Sequence, residues 1–563
     1  MNEPLAYAGA GVNRGHASAF TCVCFVVLPW VFPFAGGPSP SVQPWLLSAL
    51  CVGVVAAFQL SARVPAAVAF ALGGLTAWTV VRAGSASDAA ALAGACLLIY
   101  LATSIGAGAS YRSEMVKAVA LGWVLAATAS TLFGLAQYFG LADRFAPWVS
   151  PANVGEAFAN LRQRNQFASL TVIGIAALLC WPGATRRTWP AALTMVWLAV
   201  GNAATTSRTG LAELLLLGVM AAVWPGARRR RLVLWLAGVL AYVLAALSLP
   251  MLLEAVAGGG GNRLWERVAA VDACGSRIVL WSNVLQLIGQ KPWLGWGWGE
   301  LDYAHYLTLH GGLRFCDILD NAHNLPLHLA VELGVPFALL ASVVLVWAGA
   351  RGRPWRESDP ARQLAWAVLA VLAMHSLLEY PLWYGPFQIA CGVCLGLLLS
   401  RAGGEQMDRG TASARSPVAR GMAICLIAAV IYAGWDYRRV SQIYLPDTDR
   451  AEAYRDDALS HIRRSWLFRH QAEFAEFTIT PLTLANARWT YDTGSALLHY
   501  SPEPRVVEKV IESATMLGRT DEAMLHMARY RAAFPDSYAK WLKIWKNEAA
   551  LFHDDAPLRS PVS

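Results

Sequence analysis

The sequence predicts an all-α, polytopic membrane protein. Of its 563 residues, 56% are hydrophobic and only 15% are charged, whereas a soluble protein of ordinary composition carries about 25% charged residues. The shortage of charge is concentrated in residues 1–435. Apolar runs of about 20 residues recur there, which is the length needed to cross the hydrocarbon core of a bilayer. Residues 436–563 contain no such run and are polar.

The apolar runs predict about 12–13 transmembrane helices, each close to the length of roughly 17–25 residues that a span requires. The predicted spans are residues 19–36, 43–60, 65–82, 88–108, 117–140, 166–182, 188–204, 210–225, 232–253, 326–349, 363–380, 385–400 and 421–435.

The basic residues of the short loops predict the orientation, because cytoplasmic loops are enriched in Lys and Arg. We therefore expect a cytoplasmic N-terminus and an external C-terminus, which in a bacterium means an inner-membrane protein with a periplasmic C-terminus. The first apolar run leads into further spans without a clear cleavage site, so no signal peptide is expected. Much of the net charge of +8 then comes from short cytoplasmic loops between spans, where it sets the orientation. No nucleic-acid partner is expected. The basic residues assigned to the cytoplasmic side are Arg14, Arg63, Arg112 with Lys117, Arg186-Arg187, Arg228 to Arg231, Arg351-Arg353-Arg356, and Arg401 to Arg420.

This topology divides the chain into four predicted parts. Nine spans occupy 1–253, a large periplasmic loop occupies 254–325, further spans occupy 326–435, and a small helical periplasmic domain occupies 436–563. Within the last part, Glu508 to Phe534 predicts two amphipathic helices joined at residues 518–520, a pattern typical of a tetratricopeptide hairpin. One hairpin is weak evidence for a repeat array, because such arrays need at least about three units.

A polar stretch at the end of the large loop is the main candidate site. Residues 321–324 precede an apolar run that starts near Pro326, and polar groups at a membrane boundary are costly. We predict that His323 is catalytic, because a neutral imidazole can accept a proton from a hydroxyl near pH 7. The alternative is that Asn321 or Asn324 caps the following helix, which needs no histidine. Three other histidines are weaker candidates, and the last is expected to pack on a different helix face: His305, His310 and His328.

Four arginines on the predicted periplasmic side are not explained by topology: Arg162, Arg164, Arg208 and Arg277. A single one is more often a solvated loop charge or an anchor at the interface. Four on the side that carries His323 favour pyrophosphate as a ligand, because the planar guanidinium group binds phosphate oxygens in a bidentate manner.

Aromatic residues follow a predicted span on the same side. Tyr380 and Tyr384 can orient a hydroxyl or a phosphate, whereas Trp383 is better explained by the aromatic belt of a membrane interface. The Trp-rich residues 293–298 fit either packing within the loop or a platform for sugar rings.

Two of the ten cysteines lie in the large loop, at Cys274 and Cys316. In an oxidising compartment they can form a disulfide that closes the loop, and two free thiols are the alternative. The chain lacks the Cys/His spacing of a zinc site and a Gly-rich phosphate loop after a strand. We therefore expect no metal and no cofactor.

Five segments together resemble the bacterial protein O-oligosaccharyltransferases of the protein glycosylation ligase type, which are grouped with the O-antigen ligases and polymerases. The resemblance covers nearly the whole chain, and the first segment is the most specific to the protein-glycosylating branch. The segments are Arg162-Gln-Arg-Asn-Gln166, Ser207-Arg208, Ser276-Arg277, Ala322-His323-Asn324 and His375-Ser-Leu-Leu-Glu-Tyr-Pro-Leu-Trp383.

The resemblance implies a type C glycosyltransferase fold and a metal-independent oligosaccharyltransferase activity. The implied donor is a glycan linked to undecaprenyl pyrophosphate, and the implied acceptor is a periplasmic or pilin-like protein. By the same resemblance, Arg208 and Arg277 hold the pyrophosphate, with Arg162 or Arg164 as further candidates. His323 deprotonates or orients the acceptor hydroxyl, and Tyr380 lies near the donor.

Three other functions remain open at the level of sequence. Ligation of O-antigen to lipid A-core, or glycan polymerisation, uses the same superfamily features. A transporter of lipid-linked glycans predicts charged residues near mid-span and repeated halves with broken helices, neither of which is clear here. A non-catalytic assembly scaffold leaves the arginines and His323 unexplained.

Overall fold

The computed structural model describes residues 6–34, 41–59, 61–110, 112–181, 189–257, 274–400 and 416–554. Its regular secondary structure in these ranges is helical, apart from one isolated bridge between Ala83 and Trp298. The α-helices are α1 Ala6–Val31, α2 Val42–Phe58, α3 Ala66–Arg82, α4 Ala86–Ala109, α5 Ser113–Tyr138, α6 Arg164–Leu179, α7 Trp189–Ala204, α8 Arg208–Val223, α9 Arg228–Ala257, α10 Arg277–Gln290, α11 Leu301–Leu307, α12 Leu325–Leu333, α13 Val335–Gly352, α14 Pro360–Ser376, α15 Gly385–Leu399, α16 Pro417–Ser441, α17 Ala458–Ile462, α18 Arg469–Ile479, α19 Ala487–Leu497, α20 Pro504–Met516, α21 Thr520–Ala533 and α22 Pro535–Asp554.

The predicted class, an all-α polytopic membrane protein, is confirmed. Within the described ranges, five helices are long and apolar enough to cross a membrane: α4, α5, α9, α13 and α16. Five shorter apolar segments accompany them, namely Ala19–Val31 of α1 together with α2, α3, α6 and α15. The orientation of the bundle stays a prediction. The predicted loops with Arg186-Arg187 and Arg401, and residues 258–273 of the predicted large loop, lie outside the described residues.

Close packing of small residues holds the centre of the bundle together. Helices α4 and α15 pack against each other along Gly392 and Gly396, which are one helical turn apart. A Cβ atom on Gly396 would lie 2.2 Å from the carbonyl oxygen of Thr103 on α4, so only glycine permits this approach. Packing of this kind favours association of transmembrane helices, because the hydrophobic effect contributes little between helices in lipid.

The predicted single span 326–349 is wrong, because the structure divides it into α12 and α13 at Gly334. Gly334 has φ 95°, and a Cβ atom there would lie 2.1 Å from the carbonyl oxygen of Trp293. The chain therefore turns at a glycine that the neighbouring loop backbone contacts, and Pro336 follows in the first turn of α13. Helices α9 and α16 also run past the predicted ends of their spans, to Ala257 and Ser441.

Residues 274–324, the described part of the segment between α9 and α12, pack on two separate cores. Helices α10 and α12 share a cluster with Leu301 and Ala304 on one face of α11. Tyr306, on the same short helix, is buried instead in the core of the C-terminal helices. The helix pair predicted over 508–534 corresponds to α20 and α21 of this C-terminal part. The C-terminal helices therefore lie directly against the segment that leads to His323.

Candidate active site

A buried carboxylate, Glu379, is at the centre of the candidate site. Its side chain is only 6% exposed and lies three residues beyond the end of α14. Oε1 accepts hydrogen bonds from a guanidinium nitrogen of Arg277 and from Nδ2 of Asn165 at 2.7 Å. Oε2 lies 2.7 Å from Nδ1 of His323. One carboxylate thus connects three segments that are far apart in sequence.

The starts of four helices meet at this carboxylate. Asn165 lies in the first turn of α6, Arg277 is the first residue of α10, and His323 lies two residues before α12. Ser207, which caps α8, donates a hydrogen bond of 2.6 Å from Oγ to Oδ1 of Asn165. Helix N-termini carry partial positive charge and unpaired N–H groups. Their convergence therefore favours negative charge at the site.

The repeated Ser-Arg dipeptide has a local structural cause. Ser207 Oγ accepts a hydrogen bond from the backbone N–H of Gly210, and Ser276 Oγ accepts one from that of Val279. Each serine is therefore a helix N-cap. The following arginine becomes the first helical residue and projects from the positive end of the helix.

The helix cap predicted in the stretch at 321–324 is made by Asn324, whereas the catalytic role of His323 stays a prediction. Asn324 caps α12, because its Oδ1 accepts the backbone N–H of Leu327 at 3.1 Å. His323 instead has φ 49°, and its backbone N–H is bonded to Oδ1 of Asn321 at 2.9 Å. This left-handed backbone conformation is uncommon for a residue other than glycine. With this backbone conformation, the side chain of His323 contacts Glu379, while the next residue, Asn324, caps α12.

The charge state of Glu379 follows from its partners. Burial favours the protonated form, but the hydrogen bond from His323 and the charge of Arg277 outweigh it, so the pKa of Glu379 is lowered from its usual value. Glu379 is therefore an anion at neutral pH. Burial raises the pKa of the Tyr380 hydroxyl well above its ordinary value. The ring of Tyr380 meets that of His323 edge-on, with 5.0 Å between centroids, so a protonated phenol lies beside the imidazole.

The four predicted arginines differ in their surroundings. Arg277 contacts Glu379 through Nη2, while its Nη1 is buried and has no hydrogen-bond partner among the described residues. Arg208 is exposed and follows the cap Ser207. Arg164 forms an ion pair with Glu156 rather than joining Glu379. Arg162 lines a groove whose other wall includes Trp383 and Tyr384.

The remaining histidine candidates lie in other environments. His328 is buried with its ring edge-on to those of Trp298 and Trp383, and its Nε2 lies 3.3 Å from Oε2 of Glu332. His305 is 2% exposed and is hydrogen-bonded to Asn283. Burial, with the charge of Arg314, lowers the pKa of His305 to about 2. In the described part of the chain, His323 is the histidine that pairs with Glu379.

A disulfide between Cys274 and Cys316 is present in the structure. It precedes the cap Ser276 by two residues and precedes His323 by seven. It therefore joins the start of α10 to the segment that leads to the histidine.

Comparison with known families gives three matches along the chain. Residues 157–181 match the protein glycosylation ligase family, residues 193–342 the O-antigen ligase family, and residues 363–548 the C-terminal part of the virulence factor membrane-bound polymerases. A general O-oligosaccharyltransferase of Acinetobacter baylyi is 23% identical over 318 residues, which are 55% of this chain and 55% of the relative. The ComP-specific O-oligosaccharyltransferase of the same organism is 24% identical over 292 residues, which are 50% of this chain and 51% of the relative.

The chain is similar, in separate regions, to the protein glycosylation ligases and to the O-antigen ligases. It spans about half the length of the curated relatives that it matches. The Glu379 cluster draws on all three matched regions. Asn165 lies in the first, Arg277 and His323 lie in the second, and Glu379 lies in the third.

Sequence reasoning missed three residues of this site: Asn165, Ser207 and Glu379. Asn165 stands inside the Arg-Gln-Arg-Asn-Gln segment, whose arginines carry the stronger sequence signal. Glu379 gave one usable signal, because it is an acidic residue at the end of the predicted span 363–380, and such a residue requires a partner. Which partner it has depends on the approach of four helix ends, which spacing along the chain does not reveal.

Proposed function

We propose that this protein transfers a preassembled oligosaccharide en bloc from undecaprenyl pyrophosphate to Ser or Thr hydroxyls of periplasmic or pilin-like proteins. The observation that carries the proposal is the hydrogen-bonded set of His323, Glu379 and Arg277. It combines an imidazole base that a carboxylate orients with a guanidinium group. One nitrogen of this group, Nη1 of Arg277, has no hydrogen-bond partner among the described residues.

Arg277 and Arg208 bind the pyrophosphate of the donor. Arg277 Nη1 is the buried nitrogen without a partner among the described residues, and a buried donor without an acceptor costs about 1–3 kcal/mol. A phosphate oxygen would satisfy it. Arg208 projects from the start of α8, where the helix dipole also favours an anion. Neutralised in this way, the pyrophosphate becomes a better leaving group.

His323 accepts the proton of the acceptor hydroxyl. Glu379 accepts a hydrogen bond from Nδ1, which leaves the lone pair on Nε2 for a hydroxyl group. The hydroxyl oxygen attacks the anomeric carbon of the first sugar, and the bond from this carbon to the phosphate oxygen breaks. The proton goes to Nε2 of His323, and the bonding electrons leave with undecaprenyl pyrophosphate.

Tyr380 acts as a hydrogen-bond donor in this proposal. Its raised pKa keeps the phenol protonated at neutral pH, so it cannot serve as a second base. Its edge contact with His323 keeps the phenol ring beside the proposed base. A neutral phenol there can donate to a phosphate or sugar oxygen.

A protein acceptor is favoured by the two relatives from Acinetobacter baylyi, because both are O-oligosaccharyltransferases. A second candidate, ligation of glycan to lipid A-core, is favoured by the O-antigen ligase match of residues 193–342. Both functions use the same donor and the same bond exchange, and they differ only in the acceptor hydroxyl. The C-terminal helices against α11 supply the additional periplasmic surface that a protein acceptor would use.

The test is transfer by the purified protein in liposomes that contain a lipid-linked oligosaccharide. A pilin-like protein and lipid A-core are offered as acceptors in parallel. We expect glycosylated protein from the wild type and from His461→Ala, a control at an exposed histidine, but not from His323→Ala or Arg277→Ala. Transfer to lipid A-core alone would replace the proposal with the ligase function. Undiminished transfer by His323→Ala would show that His323 is not the base of the reaction.

A further inference from the structure

A second polar cluster lies deeper in the bundle, on the elements that carry the Glu379 cluster. It consists of Ser169 on α6, Glu213 on α8 and His375 on α14, and none of the three is exposed. Ser169 Oγ donates a hydrogen bond of 2.7 Å to Oε1 of Glu213. The same Oγ lies 2.8 Å from Nδ1 of His375. We call these three residues the inner layer.

The inner layer is connected to the site along each of the three elements that carry it. Ser169 follows Asn165 by four residues on α6, and Glu213 follows Ser207 by six along α8. On the third element, the backbone N–H of Glu379 donates to the carbonyl oxygen of His375 at 2.8 Å. A shift of these helices against each other would therefore move the partners of the central carboxylate.

Ordinary helix association does not account for the inner layer. Ser, Thr and Asn side chains are sufficient to connect helices in a membrane, whereas a Glu and a His in the bundle interior are costly to bury. The cost is only partly offset here, because Glu213 Oε2 and His375 Nε2 have no hydrogen-bond partner in the described residues. Groups retained at such a cost are good candidates for a functional role.

We propose that Ser169, Glu213 and His375 are positioning residues, whose hydrogen-bond chain fixes α6, α8 and α14 so that Asn165, Ser207 and Glu379 meet around His323. This proposal rests on the proposed transferase function for its kinetic consequences. Ser169 is the central residue of these hydrogen bonds, because its single hydroxyl contacts both Glu213 and His375.

The first test compares Ser169→Ala with Ser130→Ala. Ser130 is equally buried, on α5, and its hydroxyl has no hydrogen-bond partner among the described residues, so it controls for the loss of a buried oxygen. Displaced catalytic geometry costs about 10- to 100-fold in rate. We expect Ser169→Ala to lower kcat for glycan transfer by about this factor with KM for the donor little changed, while Ser130→Ala matches the wild type. Glu213→Gln keeps an acceptor for Ser169 and should retain most of the activity.

A double-mutant cycle separates positioning from general destabilisation. If the inner layer acts through Glu379, Ser169→Ala adds little to the loss already caused by Glu379→Gln. Independent, multiplying losses would overturn the proposal, as would a Ser169→Ala protein as active as Ser130→Ala.

A measurement without glycan transfer keeps this inference distinct from the proposed function. Diethyl pyrocarbonate modifies accessible imidazole nitrogens, and peptide mass spectrometry gives the rate at His323. We expect a faster rate in Ser169→Ala than in Ser130→Ala at equal thermal stability, because Nδ1 is held less firmly by Glu379. A wild type that transfers no glycan would rule out the proposed function. Equal rates of His323 modification in the two variants would rule out the positioning role of the inner layer.

Discussion

Nδ1 of His323 lies 2.7 Å from Oε2 of Glu379, although 56 residues separate the two in sequence. The pair has the form of an imidazole oriented by a carboxylate, which fixes the tautomer and stabilises the imidazolium that forms when Nε2 takes a proton. Arg277 occupies the other carboxylate oxygen. Glu379 therefore orients the proposed base and the proposed phosphate ligand at once.

The first prediction concerns this shared carboxylate. Glu379→Gln keeps the size of the side chain but removes its charge, so it weakens the contacts to both His323 and Arg277. We expect transfer to fall by about 100-fold, because charge-assisted hydrogen bonds to an ionised group contribute about 1.5–3 kcal/mol each. The measurement is the initial rate of glycan transfer in liposomes by Glu379→Gln and by the wild type.

The matched control is Glu476→Gln, which removes a carboxylate that pairs with Arg463 in the C-terminal helices. It should leave the rate within about twofold, because exposed ion pairs contribute about 0–1 kcal/mol. A Glu379→Gln protein with wild-type kinetics would show that the carboxylate has no part in the reaction.

The second prediction concerns the shape of the Arg277 side chain. Arg277→Lys keeps the charge but cannot contact Glu379 and a phosphate oxygen through two separate nitrogens of one planar group. We expect KM for the lipid-linked donor to rise by about tenfold, with a smaller fall in kcat. Steady-state kinetics at varied donor concentration would show this.

Arg463→Lys serves as the control for the second prediction, because Arg463 pairs with Glu476 outside the site and is 57% exposed. If Arg277→Lys binds donor as tightly as the wild type, Nη1 of Arg277 is not a phosphate ligand.

The sequence predicted the class of the fold and two residues of the Glu379 cluster, for physical reasons that can be stated. Apolar runs predict spans because lipid selects them by length. His323 and Arg277 were identified because topology does not explain polar and basic residues on that side. Gly334 gave no comparable signal, since a glycine in an apolar run is tolerated in a span, and the approach of the Trp293 backbone that breaks the helix is a tertiary contact.

The pairing of Glu379 likewise could not be predicted from spacing. It lies 102 residues from Arg277 and 214 from Asn165, and a single sequence contains no information on which helix ends meet. The same holds for Tyr306, whose burial among the C-terminal helices is decided by the docking of α11.

The third prediction concerns the disulfide between Cys274 and Cys316. It closes a loop over 42 residues, and the chain-entropy model gives about 4 kcal/mol of stabilisation for a loop of this length. We expect the double variant with Cys274→Ser and Cys316→Ser to have a clearly lower Tm than the wild type. Cys425→Ser, at an exposed free cysteine, should have no such effect. Alkylation of both loop thiols in the non-reduced wild type would contradict the disulfide.

The fourth prediction concerns acidification of the contact between α11 and the C-terminal helices. Tyr306 Oη lies 2.8 Å from Nδ1 of His526. Burial, helped by the charge of Arg529, lowers the pKa of His526 to about 4, against about 6.5 in the unfolded chain. Between these values the unfolded state binds more protons. The stability that the neutral histidine contributes is therefore complete above about pH 6.5 and is lost as the pH falls towards 4.

Lowering the pH from 7.5 to 5.5 should thus cost about 1.4 kcal/mol at His526. His305, whose pKa is lowered in the same direction, should add a similar loss. The measurement is Tm in detergent at pH 7.5, 6.5 and 5.5. His526→Asn, which cannot titrate in this range, should have a flatter dependence than the wild type, whereas the exposed control His461→Asn should follow the wild type. Parallel pH profiles for all three proteins would mean that His526 titrates as freely in the folded protein as in the unfolded chain, and that its contact with Tyr306 does not hold α11 against the C-terminal helices.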